Sequence, residues 1–299
     1  IVHPKSEISR HKSEIHHPKS EISRTKSEIL VKTNFRGSID RRALVLRHSV
    51  QVNRVDSLAS LTVGNGNFAF TTDITGLQSF PEYYEPGIPL GTMAQWGWHS
   101  FPNKENYRFE ESLKNYNFRG REEPYAVQLK TPERARLAGE YFRANAHRLH
   151  LGIVGLTLLK KDGSAATIKD ITGVDQELDL WKGEIRSRFL VENEPVEVIT
   201  VCHPDRDMIA TRVVSPLIAY GRLKVNFRFP YPTGNHTDGA CNWNSPDKHE
   251  SLLSPVSQNS VVIKRELDST VYFAVIEWAG KAKMTEKQPH WFELSGEGN

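Results

Sequence analysis

The sequence predicts a mostly β protein: a large antiparallel super-sandwich with one or two short surface helices. Short runs rich in β-branched residues recur along residues 58–278, and turn residues separate them. Several of these runs alternate between apolar and polar residues with a period of two, which is typical of strands that bury one face. No regular alternation of strands and helices appears, so a parallel α/β sheet is not expected.

The predicted strands run through most of the chain. The segment from Glu184 to Leu190 shows the alternation most clearly, because Ile185, Ser187 and Phe189 fall on one side and three charged residues on the other. The other predicted strands are Leu58–Val63, Phe68–Thr72, Arg148–Leu159, Val196–Val201, Met208–Val214, Leu223–Phe229, Ser260–Leu267, Val271–Trp278 and the short run Trp291–Leu294. Many short strands with regular turns favour a large antiparallel sandwich.

One segment departs from the strand pattern. Residues 131–144 read TPERARLAGEYFRA, which is rich in helix formers. The Thr131-Pro132 pair suits a helix start, because proline is tolerated in the first turn. We expect a short helix on the surface of the sheet.

Residues 1–37 differ from the rest of the chain. The tetrapeptide KSEI begins at Lys5, Lys12, Lys19 and Lys26, a period of seven. A coiled coil needs two apolar positions per heptad, and this repeat has one. We therefore predict a low-complexity, disordered tail over residues 1–37. A β super-sandwich domain is expected over residues 38–299, with the functional chain beginning near Ser38.

Composition and charge exclude several classes of protein. The formal net charge of +3 over 299 residues is too small to indicate a nucleic-acid partner. No run approaches the length of a membrane helix, so membrane insertion is not expected. Two cysteines, Cys202 and Cys241, are too few for a disulfide scaffold, and whether they pair is left open. No cofactor is expected.

The segment LTVGNGNFAF (residues 61–70) contains a Gly-Asn-Gly motif. A phosphate-binding loop needs a lysine or a third glycine at fixed spacing and a following helix. Here Gly66 is followed by a strand pattern instead. Glycine and asparagine tolerate positive φ, so a tight hairpin turn at Gly64-Asn65-Gly66 is the local prediction.

The segment WGWHSFPN (residues 96–103) holds the candidate substrate-binding residues. Exposed tryptophan rings suit sugar recognition, because the C–H faces of sugars stack on aromatic rings. We select Trp96 and Trp98 as stacking residues, and His99 and Asn103 as polar contacts to sugar hydroxyls. The alternative is that one or both tryptophans fill the core, as large aromatic residues often do.

The segment CHPDRD (residues 202–207) allows three interpretations. A Cys202–His203 nucleophile pair lacks an orienting third group. A metal site formed by His203, Asp205 and Asp207 lacks a recognised ligand spacing. The favoured interpretation is a hairpin turn in which Asp205 or Asp207 pairs with Arg206 or Arg212.

No metal site and no catalytic residue is assigned. A zinc site built from His236, Asp238, Cys241 and His249 has no motif to support it. Glycoside hydrolysis needs a pair of carboxylates, and no pair stands out by its sequence context.

Three segments together resemble the N-terminal domain of six-hairpin glycosidases, such as family 65 and family 95 glycoside hydrolases. They are residues 57–80, which contain the Gly-Asn-Gly hairpin, then WGWHSFPN, and then residues 178–215, which contain CHPDRD. The combination of WGWHSFPN and CHPDRD also resembles exported proteins of gut bacteria. The resemblance covers roughly residues 39–294 and implies a β super-sandwich.

The resemblance also implies a function. In such enzymes the glutamate general acid lies in a C-terminal (α/α)6 barrel, so the catalytic glutamate is expected outside this chain. The chain is then the non-catalytic N-terminal domain of a glycoside hydrolase that acts on oligo- or polysaccharides. The missing barrel would be its partner, with a periplasmic or extracellular location. The alternative is a stand-alone carbohydrate-binding module without catalysis.

Overall fold

The computed structural model describes residues 39–235 and 237–296. Antiparallel pairing dominates these residues, and strands β1 to β19 follow in chain order. Their bounds are Val50–Val52, Leu61–Gly64, Phe68–Thr72, Thr92–Ala94, Trp98–His99, Leu113–Phe118, Arg121–Ala126, His147–Arg148, Ile153–Leu158, Ile171–Asp179, Glu184–Val191, Glu194–Cys202, Ile209–Val214, Leu223–Arg228, His249–Ser257, Ser260–Leu267, Thr270–Glu277, Ala282–Gln288 and Trp291–Gly296. The prediction of a mostly β, antiparallel sandwich is confirmed.

The described helices are short and lie between strands. They are α1 Arg41–Leu46, α2 Pro81–Tyr84, α3 Glu133–Ala144 and α4 Pro216–Ala219. The helix α3 matches the predicted segment and starts directly after Pro132, as the sequence indicates. The other three helices raise the number above the one or two expected, because four to six residues carry too little periodicity to be seen in the sequence.

A five-stranded sheet with the order β1-β10-β11-β12-β13 forms one layer. The hairpin β11–β12 is closed by Glu192 and Asn193, whose φ angles of 48° and 69° give the tight turn that suits the twist of two strands. Ile185, Ser187 and Phe189 are all buried on the inner face. The alternation in the sequence of β11 therefore reflects the burial of one face of the strand, as predicted.

Two hydrophobic cores share one sheet. In the four-stranded sheet β18-β19-β14-β9, Leu156 and Leu223 pack into a core with the five-stranded sheet and with β2 and β3. Phe227 and Phe292, in the same four-stranded sheet, pack into a second core against the three-stranded sheet β15-β16-β17. Leu223 and Phe227 are four residues apart on β14, and Phe227 pairs with Phe292, so these residues lie on the same face of the sheet. The two cores therefore lie along one face of it.

Within residues 39–235 and 237–296, exposed apolar side chains cluster on two of the surfaces. The outer face of the sheet β15-β16-β17 carries exposed Leu252, Val256, Val271, Phe273 and Val275. We call it the outer apolar face.

The second such surface is the hairpin β6–β7, which exposes Tyr116, Phe118 and Tyr125. Every residue of this hairpin is exposed except Leu113 and Glu123, which are half-buried.

Several strands were not predicted from the sequence. The strand β10 has a glycine and several acidic residues, and its pairing with β11 shifts register between Thr172 and Asp175. The strand β15 contains a proline and shifts register between Pro255 and Ser257. Such irregularities break the period-two pattern on which strand prediction depends.

The predicted tail of residues 1–37 lies outside the described residues, and the domain boundary near Ser38 stays a prediction. Among the described residues, no helix combines the length and the apolar character needed to cross a membrane.

Candidate functional site

The Gly-Asn-Gly motif forms the predicted turn between β2 and β3. The last strand pair is Gly64 with Ala69, and a Cβ atom at Gly64 would lie 2.5 Å from the Phe68 carbonyl oxygen. The side chain of Asn65 organises the turn, because its Oδ1 accepts hydrogen bonds from the backbone N–H groups of Asn67 at 3.0 Å and Phe68 at 2.9 Å. The hairpin prediction is confirmed.

The same asparagine also binds the CHPDRD loop. Its Nδ2 donates hydrogen bonds to the carbonyl oxygens of His203 at 3.1 Å and Arg206 at 3.0 Å. These contacts span 138 and 141 sequence positions. Two motifs that are far apart in the sequence are therefore neighbours in the fold.

The CHPDRD loop shows no catalytic Cys–His pair. The Cys202 thiol donates to the His203 carbonyl oxygen at 3.4 Å, and the ring Nδ1 of His203 accepts from the backbone N–H of Asp205 at 3.0 Å. Burial raises the pKa of the Cys202 thiol, which favours the less nucleophilic neutral form. The loop is a hairpin connection between β12 and β13.

The third motif joins the same region through Trp96. The Trp96 indole Nε1 donates a hydrogen bond to Asp207 Oδ2 at 2.6 Å. The sequence predicted an ion pair of Asp205 or Asp207 with Arg206 or Arg212. That prediction is wrong: none of the ion pairs within residues 39–235 and 237–296 includes either aspartate, because the Asp207 carboxylate is turned toward the indole.

Both tryptophans are at the surface. The exposed fraction is 52% for Trp96 and 47% for Trp98, so neither fills the core. The Trp98 indole N–H donates to the Gln95 carbonyl oxygen at 3.1 Å. The guanidinium of Arg148 lies over the Trp98 ring, 4.2 Å from its centroid. Both rings are thus held in fixed orientations and remain open to solvent.

His99 is not at this surface. Its side chain is buried, and its ring nitrogens contact His147 Nε2 at 3.1 Å and Asp268 Oδ2 at 3.0 Å. Burial, and then the neighbouring His147, lower the pKa of His99. Asp268 also accepts from the Tyr231 hydroxyl at 2.7 Å. Since both nitrogens are occupied, His99 has no free group for a saccharide.

Asn103 is used within its own loop. Its Oδ1 accepts from the Tyr107 backbone N–H, and its Nδ2 donates to the Tyr107 carbonyl oxygen, both at 2.9 Å. The amide closes the loop between residues 103 and 107. Of the four residues selected from the sequence, the structure therefore leaves Trp96 and Trp98 open to a ligand, and their contact with a saccharide stays a prediction.

An open cleft adjoins Trp98 through Gln95 and Arg148, although neither tryptophan lines it. Its volume is about 550 Å³, and its walls include Gly64, Asn67, Met93, Gln95 and Arg148. Arg148 is the charged residue among those that line it. The sequence does not identify Arg148, because its role depends on the pairing of β5 with β8, which sets Trp98 opposite Arg148. No local pattern encodes that pairing.

The metal hypotheses gain no support. Among the described residues no group of three or more His, Cys, Asp or Glu side chains is arranged to hold a metal ion. The suggested zinc site includes His236, which lies outside the described residues. Cys202 and Cys241 are both free thiols, and burial raises the pKa of Cys241 to about 12. His249 Nδ1 accepts a hydrogen bond from Arg265 at 2.6 Å, so this ring nitrogen is already used within the fold.

Comparison with known proteins gives similarity to solved structures alone. No protein family model matches the chain, and no curated protein matches it. Among solved structures, the chain is similar to a candidate kojibiose phosphorylase from the human microbiome, with a TM-score of 0.44 and 9% identity. The match covers 83% of this chain and 29% of that one. A similarity of this size establishes neither a shared family nor a shared activity.

Proposed function

We propose that residues 38–299 form the non-catalytic β-sandwich domain of a glycoside hydrolase, and that the face formed by Trp96 and Trp98 contacts the saccharide. The observation that carries the proposal is the convergence of three sequence motifs on this face. Asn65 joins the Gly-Asn-Gly turn to the CHPDRD loop, and Asp207 of that loop holds Trp96.

The arrangement suits binding better than catalysis. Asp207 accepts the Trp96 indole N–H, so this carboxylate orients a ring. The half-exposed rings adjoin a cleft of about 550 Å³, a volume in the range of many small-molecule sites. The glutamate general acid of the hydrolase belongs to the proposed barrel, where it would protonate the glycosidic oxygen.

The saccharide contact is tested with Trp96→Ala and Trp98→Ala. Each variant should lower the affinity for a neutral oligosaccharide such as maltotriose or cellotriose by about tenfold or more, because stacking area is lost. Isothermal titration calorimetry measures the effect. Trp181→Ala is the matched control, since Trp181 is 49% exposed in the turn between β10 and β11. Unchanged affinity in both test variants would contradict the proposal.

The outer apolar face favours a domain of a larger enzyme over a stand-alone binding module. Phe273 and Val275 are each 62% exposed, and Val256 is 64% exposed. Phe273 and Leu252 flank Lys264 in one row across the three strands. Exposed apolar clusters of this kind often mark sites where another domain docks. We propose the helical barrel as that domain.

The reading frame beyond the codon for Asn299 tests the proposed partner. We expect it to encode helical hairpins with a glutamate placed for acid catalysis; a stop codon there would contradict the proposal. In the longer protein, Phe273→Lys should weaken the docking of the barrel, while Leu58→Lys, another exposed position, should not. Differential scanning calorimetry would show weaker docking as separate unfolding transitions of the sandwich and the barrel.

A location outside the cytoplasm is part of the same proposal, since it follows from the resemblance to exported glycosidases. Fractionation of the native cells, followed by immunodetection of the chain, tests it.

A further inference from the structure

The cleft that adjoins Trp98 is lined by one charged residue among neutral ones. Of the residues that line it, Arg148 carries a charge, and the others are glycine, alanine, methionine, phenylalanine and the amides Asn67 and Gln95. No described carboxylate forms an ion pair with Arg148. The cleft therefore presents an uncompensated positive charge.

The guanidinium of Arg148 is held in place without using all its donors. Its Nη1 donates to the carbonyl oxygens of Ala94 at 3.1 Å and Gln95 at 3.0 Å, and its plane rests on the Trp98 ring at 4.2 Å. An arginine has five N–H donors. The remaining Nε–H and Nη2–H groups meet no acceptor among the described residues, and they form the edge that binds a carboxylate or sulfate with two parallel hydrogen bonds.

The two tryptophans differ in the charge beside them. Trp98 has the Arg148 guanidinium on its ring, whereas Trp96 has the Asp207 carboxylate on its indole nitrogen. An anionic group on a bound sugar would be attracted at Trp98 and repelled at Trp96. The two tryptophans would therefore favour one orientation of a bound acidic saccharide over the reverse orientation.

We infer that the cleft binds an acidic saccharide, whose anionic group pairs with the free edge of Arg148 while a sugar ring packs on Trp98. The amide groups of Asn67 and Gln95 are the nearby polar groups for hydroxyls. The anionic group is a carboxylate, as in a uronic acid, or a sulfate ester. This inference rests on the proposed saccharide contact and names the class of saccharide.

The experiment compares matched saccharides on the full chain by isothermal titration calorimetry. Trigalacturonate carries carboxylates, its methyl ester is the neutral form of the same rings, and a κ-carrageenan tetrasaccharide carries sulfate. We expect the anionic form to bind about ten- to a hundredfold more tightly than the neutral ester, because hydrogen bonds to a charged group are strong. The preference should weaken as salt is raised.

Variants assign the effect to Arg148. Arg148→Gln should remove the preference for the anionic form, and Arg148→Lys should retain part of it, since lysine keeps the charge without the fork. Arg54→Gln is the control, because Arg54 is an exposed arginine outside the cleft. Circular dichroism and the melting temperature check that each variant is folded.

Each outcome decides between the proposals. If neither trigalacturonate nor the κ-carrageenan tetrasaccharide binds the wild type more tightly than the ester does, the inference is overturned and the general saccharide contact stands. The same follows if Arg148→Gln keeps the preference. If none of the saccharides binds, both proposals fall. Preference for trigalacturonate alone identifies a carboxylate as the recognised group, and preference for the κ-carrageenan tetrasaccharide alone identifies a sulfate.

Discussion

A few side chains join segments that the sequence keeps far apart. Asn65 makes four hydrogen bonds, two within its turn and two to the CHPDRD loop. Asp73, just after β3, is fully buried and accepts hydrogen bonds from Thr75 and from the Phe80 backbone N–H. Both side chains supply hydrogen-bond partners to backbone groups in turns, where no neighbouring strand is present to pair with them.

The four hydrogen bonds of Asn65 predict a large effect of its removal. Asn65→Ala should lower the free energy of unfolding by about 1–3 kcal/mol, because it removes four hydrogen bonds, including those that the backbone N–H groups of Asn67 and Phe68 donate. Asn67→Ala is the control, since no described residue bonds to its side chain. Urea denaturation of both variants measures the difference. Equal stability of the two variants would show that Asn65 does not anchor the loop.

Asp73 predicts a pH dependence of stability. Burial raises its pKa from 3.8 to about 6 in the folded protein, against the lowering effect of its hydrogen bonds. The folded state thus holds the proton more tightly than the unfolded state does. Its stabilising contribution is complete below pH 3.8 and is lost as the pH rises through 6, by at most about 3 kcal/mol.

The measurement for Asp73 is urea denaturation between about pH 4 and pH 7, in the wild type and in Asp73→Asn. The stability of the wild type relative to the variant should fall across this range. A difference that stays constant with pH would mean that Asp73 ionises in the folded state as it does in water.

At the scale of elements, the segment that follows β3 is bound tightly to the five-stranded sheet. Gly76 has a φ of 80°, and its carbonyl oxygen accepts from Thr200 Oγ1 of β12 at 2.8 Å. A Cβ atom at Gly76 would lie 2.7 Å from Ser187 Oγ and 3.1 Å from Val198 Cγ1. The segment therefore lies directly on the inner face of the five-stranded sheet.

Gly76→Ala should destabilise the protein by about 2–4 kcal/mol, since it combines a left-handed backbone with overpacking. Gly183→Ala provides the control, because Gly183 has a φ of 66° but open space around it. We expect Gly183→Ala to lower the free energy of unfolding by about 1–2 kcal/mol, because only the left-handed backbone conformation opposes that substitution. Thermal denaturation would separate the two variants; similar melting temperatures would mean that the sheet yields to the added methyl group.

For the molecule as a whole, stability is distributed unevenly. The described residues from Asp40 onward belong to one compact unit, with two hydrophobic cores along one face of the sheet β18-β19-β14-β9. The hairpin β6–β7 contributes to neither core, although three aromatic rings cluster on it. A two-stranded hairpin without packing is marginally stable in water.

Hydrogen exchange should reveal this difference. The amides of β6–β7 should exchange faster than those of β11–β12 by a factor of at least about 100, because local opening of the hairpin exposes little buried apolar surface. Mass spectrometry of peptic fragments covers both hairpins in one experiment. Equal protection would indicate that the aromatic cluster alone stabilises the hairpin.

How far the sequence predicts the structure depends on whether the signal is local. The strands β3 and β16 have the predicted bounds, and α3 lies within its predicted segment. For the site, Trp96 and Trp98 were identified by residue type, and both are exposed. His99 was selected by the same reasoning and is buried, because residue type does not reveal which side of the short strand β5 faces inward.

The sequence by itself determined many of the strands, the buried face of β11 and the hairpin turn at Gly64-Asn65-Gly66, because a period of two and turn chemistry are properties of neighbouring residues. The tertiary structure alone decided that Asn65 meets His203 across 138 positions, that Trp96 meets Asp207 across 111, and that Arg148 lies on Trp98. These contacts depend on the order in which strands pair, and alternation along one strand does not specify its neighbours.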